Sequence, residues 1–186
     1  NVNTFIRAGK VAVLTDLLES QSDWKRQFEK SAWDNVTVDG RIYGIPLELT
    51  YQCMFLNTDM FEAYRVEIPQ DFEGLKRAVN AFLASDVIPI SFNAQYIGSL
   101  LYQSIIAALG GRLEVEYAFQ GGQISPCYVE ALAYVKELYE LGAFPANAFS
   151  LSDSSAQELF YTKQAAMIVQ RSEFTGEVNQ RVSSVN

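Results

Sequence analysis

The segment from Ser31 to Asn57, SAWDNVTVDGRIYGIPLELTYQCMFLN, constrains the fold of this chain more than any other. Val36 and Val38 precede Asp39-Gly40, and Ile42, Tyr43 and Ile45 follow it. Asp-Gly between apolar runs predicts a tight hairpin, because both residues tolerate positive φ. Pro46 then removes one ladder donor at the start of a second extended run. That run is therefore expected to enter a sheet at its edge or to cross between two sheets. Its middle, Glu48 to Gln52, is polar and lies between Ile45-Pro46-Leu47 and Met54-Phe55-Leu56. A strand that opens apolar, turns polar and closes apolar is expected to cross a cleft.

Beyond this segment helices and strands alternate. Asp23 to Lys30 reads as a short amphipathic helix presenting Trp24 and Phe28, and Asp71 opens a longer one with Phe72, Leu75, Val79 and Phe82 at helical spacing. Asp86 to Ile90 reads as a turn residue and a short buried strand. Gly98 to Leu109 is predicted helical, with Leu101, Ile105 and Leu109 on one face and Gly110-Gly111 as the stop. Ser125-Pro126 is a helix start, after which Leu132, Val135, Leu138 and Tyr139 form a wide apolar face up to Gly142. Ser152 or Asp153 caps a helix through Tyr161, and Ala165 to Val169 reads as a strand buried on both faces. The alternation predicts an α/β fold with a sheet covered by helices.

Composition narrows the function classes. The net charge of −8, from 22 acidic and 14 basic residues, argues against nucleic acid as a partner, because phosphate binding needs clustered Lys and Arg. No apolar run approaches the ~20 residues that span a bilayer. The chain contains no histidine, which excludes a Cys-His nucleophile and a His-based metal site. Cys53 and Cys127 are expected to be buried free thiols rather than a disulfide. There is no GxGxxG, phosphate-loop or G-x-S-x-G pattern, so the expectation is a binding protein without cofactor or metal, and not an enzyme. Glu48 with Glu173 is the one carboxylate pair that a cleft would bring together for glycoside hydrolysis.

Ligands of α/β sheets bind outside the carboxyl ends of strands, which singles out three segments. Glu48-Leu49-Thr50-Tyr51-Gln52 offers a carboxylate, hydroxyls, an amide and a ring able to stack on a sugar, or else is an exposed strand edge. Ser91-Phe92-Asn93-Ala94-Gln95-Tyr96 follows one strand and precedes a helix. Its polar groups face a ligand or cap that helix, Asn93 being the expected cap. Gln170-Arg171-Ser172-Glu173-Phe174 follows the last strand. Arg171 beside Glu173 suits a charged or strongly polar solute, or else both are solvated surface charges. Phe55, Phe61, Phe72, Phe82 and Phe160 are assigned to the core, whereas Tyr51, Tyr96 and Phe174 are the aromatics left for a site.

The order Trp33-Asp34, hairpin, Gly44-Ile45-Pro46, polar stretch, Phe55-Leu56-Asn57, then Thr58-Asp59-Met60-Phe61 resembles the extracellular solute-binding proteins of ABC sugar importers, family 1, the class that includes maltose-binding protein. The resemblance implies a type II periplasmic-binding-protein-like fold. Residues 1–46 would be a remnant of the first lobe with the hairpin and crossover, and 47–186 the second lobe, with the rest of the first lobe and a C-terminal tail outside the chain. It implies a monomeric receptor that binds a sugar or oligosaccharide and hands it to an ABC permease in the membrane, in an extracellular or periplasmic location, tethered as a lipoprotein. Another polar solute, or a sensor or adhesion role on the same fold, is the alternative. In this family a ligand residue falls near Thr50, which selects Thr50, Tyr51 and Gln52. The loop after the next strand approaches the sugar, which selects Asn93, Gln95 and Tyr96. After the strand AAMIVQ the family shows a glycine, a small residue and a tryptophan, where this chain has Arg171, Ser172 and Glu173, with Phe174 the nearest aromatic. Trp33 is implied to be structural, packed beside the hairpin.

Overall fold

The computed structural model describes residues 2–48, 50–111, 118–120 and 122–183. The chain divides into two units, Asn1–Thr50 and Tyr51–Asn186.

The first unit carries four short helices, α1 (Val2–Arg7), α2 (Thr15–Ser20), α3 (Ser22–Lys25) and α4 (Lys30–Asp34), followed by the hairpin β1 (Thr37–Val38) and β2 (Arg41–Ile42). Asp39 at φ 50° and Gly40 at φ 73° make the turn, as the Asp-Gly pair predicts. Leu18, Trp33 and Ile42 are buried together, with Leu14, Phe28 and Val36 packed around them. Trp33 is thus structural. The Ile42 N–H donates to Thr15 Oγ1 at 2.9 Å, which ties the hairpin to α2. The helix expected over Asp23 to Lys30 is cut short. Gln27 and Phe28 N–H groups donate to carbonyls three residues back, and this tightening ends the helix at Lys25. Trp24 and Phe28 still meet edge to face at 4.8 Å.

The second unit is built on a mixed three-stranded sheet of order β3 (Gln52–Leu56), β7 (Ala165–Arg171) and β4 (Ile88–Ser91). β3 runs antiparallel to β7, with Gln52 opposite Arg171 and Leu56 opposite Met167. β4 runs parallel to β7, with Ile90 opposite Met167. Central β7 is buried from Ala165 through Gln170, which accounts for its unbroken apolar run. β3 lies at an edge, as expected of the run that follows Pro46. It is shorter than that run, because the described residues between Pro46 and Tyr51 pair with no strand.

Helices cover this sheet. α5 (Thr58–Ala63) follows β3, and α6 (Phe72–Leu83) is capped by Asp71, whose carboxylate accepts the Gly74 N–H at 2.6 Å. Leu75, Val79 and Phe82 of α6 are buried, and Phe61 meets Phe82 edge to face at 5.0 Å. Burying one such ring contributes about 2 kcal/mol. α7 (Tyr96–Gly110) ends at Gly111, φ 78°. After the short pair β5 (Phe119–Gln120) and β6 (Gln123–Ile124) come α8 (Pro126–Glu140), α9 (Asp153–Tyr161) and α10 (Phe174–Ser183). Ser152 caps α9 by accepting the Ser155 N–H at 3.1 Å. Ser91 Oγ donates to the Ala156 carbonyl at 2.5 Å, fixing α9 to β4. The wide apolar face expected on α8 is only partly used: Leu138 is buried, but Leu132 and Tyr139 stay exposed. Ser125 sits at the cap position of α8 without a side-chain capping bond. Both cysteines are free and half-buried.

Candidate ligand site at the sheet edge

Because β3 is antiparallel to β7, which β4 parallels, its first residues lie at the end of the sheet where β4 and β7 finish. Gln52 and Arg171 form the last register pair. The Ser172 N–H donates to the Tyr51 carbonyl at 2.8 Å and the Tyr51 N–H to Ser172 Oγ at 3.4 Å, so the pairing extends one step beyond the strands. Helix α7 supplies the facing side chains. Tyr96 and Gln103 are seven residues apart and so share one helical face. Gln52 Nε2 donates to Gln103 Oε1 at 3.2 Å, and Ser104 Oγ donates to Gln52 Oε1 at 3.1 Å. The Arg171 guanidinium lies over the Tyr96 ring, 5.8 Å from its centroid. No carboxylate among the described residues forms an ion pair with Arg171. Tyr51 is 64% exposed beside this group. The cluster therefore joins an amide network, an open tyrosine ring and a guanidinium pinned on a second ring, which can donate, accept and stack.

The structure separates the residues that the three polar segments offered. Tyr51, Gln52, Tyr96 and Arg171 come together. Thr50 is exposed and is the last residue of the first unit, and Glu173 is exposed on the turn after β7. Asn93 is 1% exposed, and its Oδ1 accepts the N–H groups of Tyr96 and Ile97 at 3.0 and 2.9 Å while its Nδ2 donates to Asp153. Its side chain is committed to starting α7, the capping role expected of it, and is withdrawn from solvent. Gln95, the residue before α7, instead lines with Ser99 and Tyr102 an open cavity of about 420 Å³ whose lining includes Leu132 and Tyr139 of α8. The Phe92 and Phe144 rings, stacked at 4.0 Å, also line it.

Phe174 requires a correction. It is 3% exposed and packs against Phe55 at 5.1 Å, Tyr161 at 5.3 Å and Phe160 at 6.0 Å. As the first residue of α10 it turns into the core rather than toward a ligand. Phe61, Phe82 and Phe160 are buried, and Phe55 and Phe72 pack partly buried against them, as assigned. Cys53 lies on β3, where burial pushes its thiol pKa up and keeps it protonated. Burial, and then the neighbouring Tyr128, raises the Tyr102 phenol, whose hydroxyl donates to the Tyr128 carbonyl at 2.8 Å.

Gln103, Ser104 and Ser172 were not among the sequence candidates. A signal for the first two existed: they form a polar pair between the apolar runs Leu100-Leu101 and Ile105-Ile106, at helical spacing from Tyr96.

A family model described as "Bacterial extracellular solute-binding protein" matches residues 1–174. The maltodextrin-binding protein MdxE of Bacillus subtilis is 24% identical over 172 residues, 88% of this chain and 40% of that protein. A solved structure described under xylan utilization by the thermophilic bacterium Caldanaerobius polysaccharolyticus is similar at 27% identity and TM-score 0.76, over 91% of this chain and 44% of the other. A chitin oligosaccharide binding protein is similar in fold at TM-score 0.80 and 21% identity, over 96% and 46%. The chain thus spans less than half the length of each of these relatives.

Proposed function

This chain belongs to the bacterial extracellular solute-binding protein family and carries its type II periplasmic-binding-protein-like α/β fold, and from that premise we propose that the intact protein binds a sugar or oligosaccharide outside the cell and delivers it to an ABC permease. The observation that carries this reading is the grouping of Tyr51, Gln52, Tyr96, Gln103 and Arg171 at the sheet edge, where ligands of such sheets bind. Amides, hydroxyls and open rings suit the paired hydroxyls and apolar faces of a pyranose. The relatives named for maltodextrin and chitin oligosaccharide binding support the same solute class.

In this reading residues 1–46 come from the first lobe and 47–186 from the second. Closure of two lobes about a hinge traps the solute, and the permease distinguishes closed from open. The protein acts as a monomer tethered by a lipid anchor and catalyses no reaction on its solute. Calorimetry on the intact gene product, against mono- and oligosaccharides, amino acids and polyamines, tests this. Saccharide binding is expected, and silence across the whole panel overturns the reading.

A further inference from the structure

We infer that the solute is a sugar bearing a carboxylate and that Arg171 selects it, an inference that rests on the receptor reading above. The groups brought to the sheet edge beside Arg171 are neutral: Tyr51, Gln52, Tyr96, Gln103 and Ser104. Arg171 adds a formal positive charge to these groups, and no carboxylate of the described residues pairs with it, Glu173 two positions on included. The guanidinium lies 5.8 Å from the Tyr96 centroid. A ring beneath its face restrains the head group while leaving the N–H edge available for hydrogen bonds. That edge is a rigid planar fork whose spacing matches the two oxygens of a carboxylate.

Desolvation sharpens the choice. A closing receptor that covered Arg171 with a neutral sugar would leave a buried cation without a counter-charge, which is costly. A carboxylate on the solute removes that cost and gains paired, charge-assisted hydrogen bonds. The net charge of −8 repels anions from the chain at large, so selection of an acidic solute depends on a local cation. A sulfated sugar shares the anionic chemistry, and two oxygens of its head also fit the fork, so a sulfated counterpart serves as a separate arm of the test.

The test is calorimetry on the intact gene product with a uronate-terminated disaccharide, its neutral counterpart and its sulfated counterpart, at low and high salt. The uronate is expected to bind about tenfold tighter than the neutral sugar or better, with the advantage shrinking as salt rises. Arg171→Gln is expected to abolish that preference, and Arg171→Lys to keep only part of it. Thermal unfolding of both variants checks folding, and because Arg171 is exposed it should change little. Equal binding of the acidic and neutral sugars, stronger binding of the sulfated one, or a preference that survives in Arg171→Gln overturns the inference and leaves the receptor reading standing. Absence of binding to any saccharide overturns both.

Discussion

Asn93 illustrates how one side chain decides between structure and function. Its polar character and its place after a strand are compatible with either role. At 1% exposure, with Oδ1 shared by two N–H groups and Nδ2 on Asp153, every polar atom is already used inside the fold. Asn93→Ala is therefore expected to cost about 2–3 kcal/mol in denaturant unfolding, since it removes a helix cap and strands a buried partner. A loss below about 0.5 kcal/mol would contradict the capping role. Tyr161 carries the pH dependence. Burial first, and then its hydrogen bond to Glu177, pushes its phenol from the ordinary value near 10 up to about 12. A raised folded pKa means that the neutral phenol favours the fold, so its contribution is full below pH 10 and is lost as pH rises through about 12. Spectroscopic titration should show a late-ionising tyrosine that disappears in Tyr161→Phe, and the same variant should flatten the fall of stability across that window.

At the level of elements, α7 joins the core to the candidate site. Its N-terminal turn is held by Asn93, its Tyr96–Gln103 face meets β3 and β7, and Gly98 lets Phe92 pack beneath it. A Cβ added at Gly98 would lie 2.8 Å from Phe92 Cζ and 3.0 Å from the Asn93 carbonyl oxygen. That oxygen accepts the Gly98 N–H, so the backbone itself has to shift. Gly98→Ala is expected to destabilise by about 1–3 kcal/mol and, by displacing Tyr96, to weaken solute binding as well. An alanine variant of unchanged stability would show that this turn has slack. The elements readable from sequence share a feature: their signals are local. Asp39-Gly40, the Asp71 and Ser152 caps, Gly111 past the end of α7 and the apolar run of β7 each state their role within a few residues. The α3 boundary is not legible in the same way, because the spacing of Trp24 and Phe28 fits a helix, yet the same two rings meet across tight turns.

At the level of the molecule, two separate clusters of buried residues define two units. One is Leu18, Trp33 and Ile42; the other spans Met60 to Phe174 and draws on β4 and β7, with Met54, Phe55 and Leu56 of β3 packed against it. Since the second cluster draws on no residue before Tyr51, a chain of residues 51–186 is expected to unfold in one cooperative denaturant transition with a midpoint close to that of residues 1–186. A broad, non-cooperative transition would show that the first unit is needed to complete the fold. On the proposal of a site shared by two lobes, residues 1–186 alone are expected to bind sugar at least tenfold more weakly than the intact gene product, because part of a shared site forgoes contacts and closure. Equal affinity would assign the whole site to this chain. The sequence by itself determined the α/β class, the hairpin, the Asp71 and Ser152 caps and the central strand, because each depends on interactions between residues near in sequence. Which polar residues gather was decided only by tertiary structure. Gln52 reaches Gln103 and Arg171 reaches Tyr96 because an antiparallel strand and one helical face converge on a single edge, while Phe174 and Asn93 turn inward because the core leaves them space and partners there. Such pairings join residues far apart in the chain, and no local pattern encodes them.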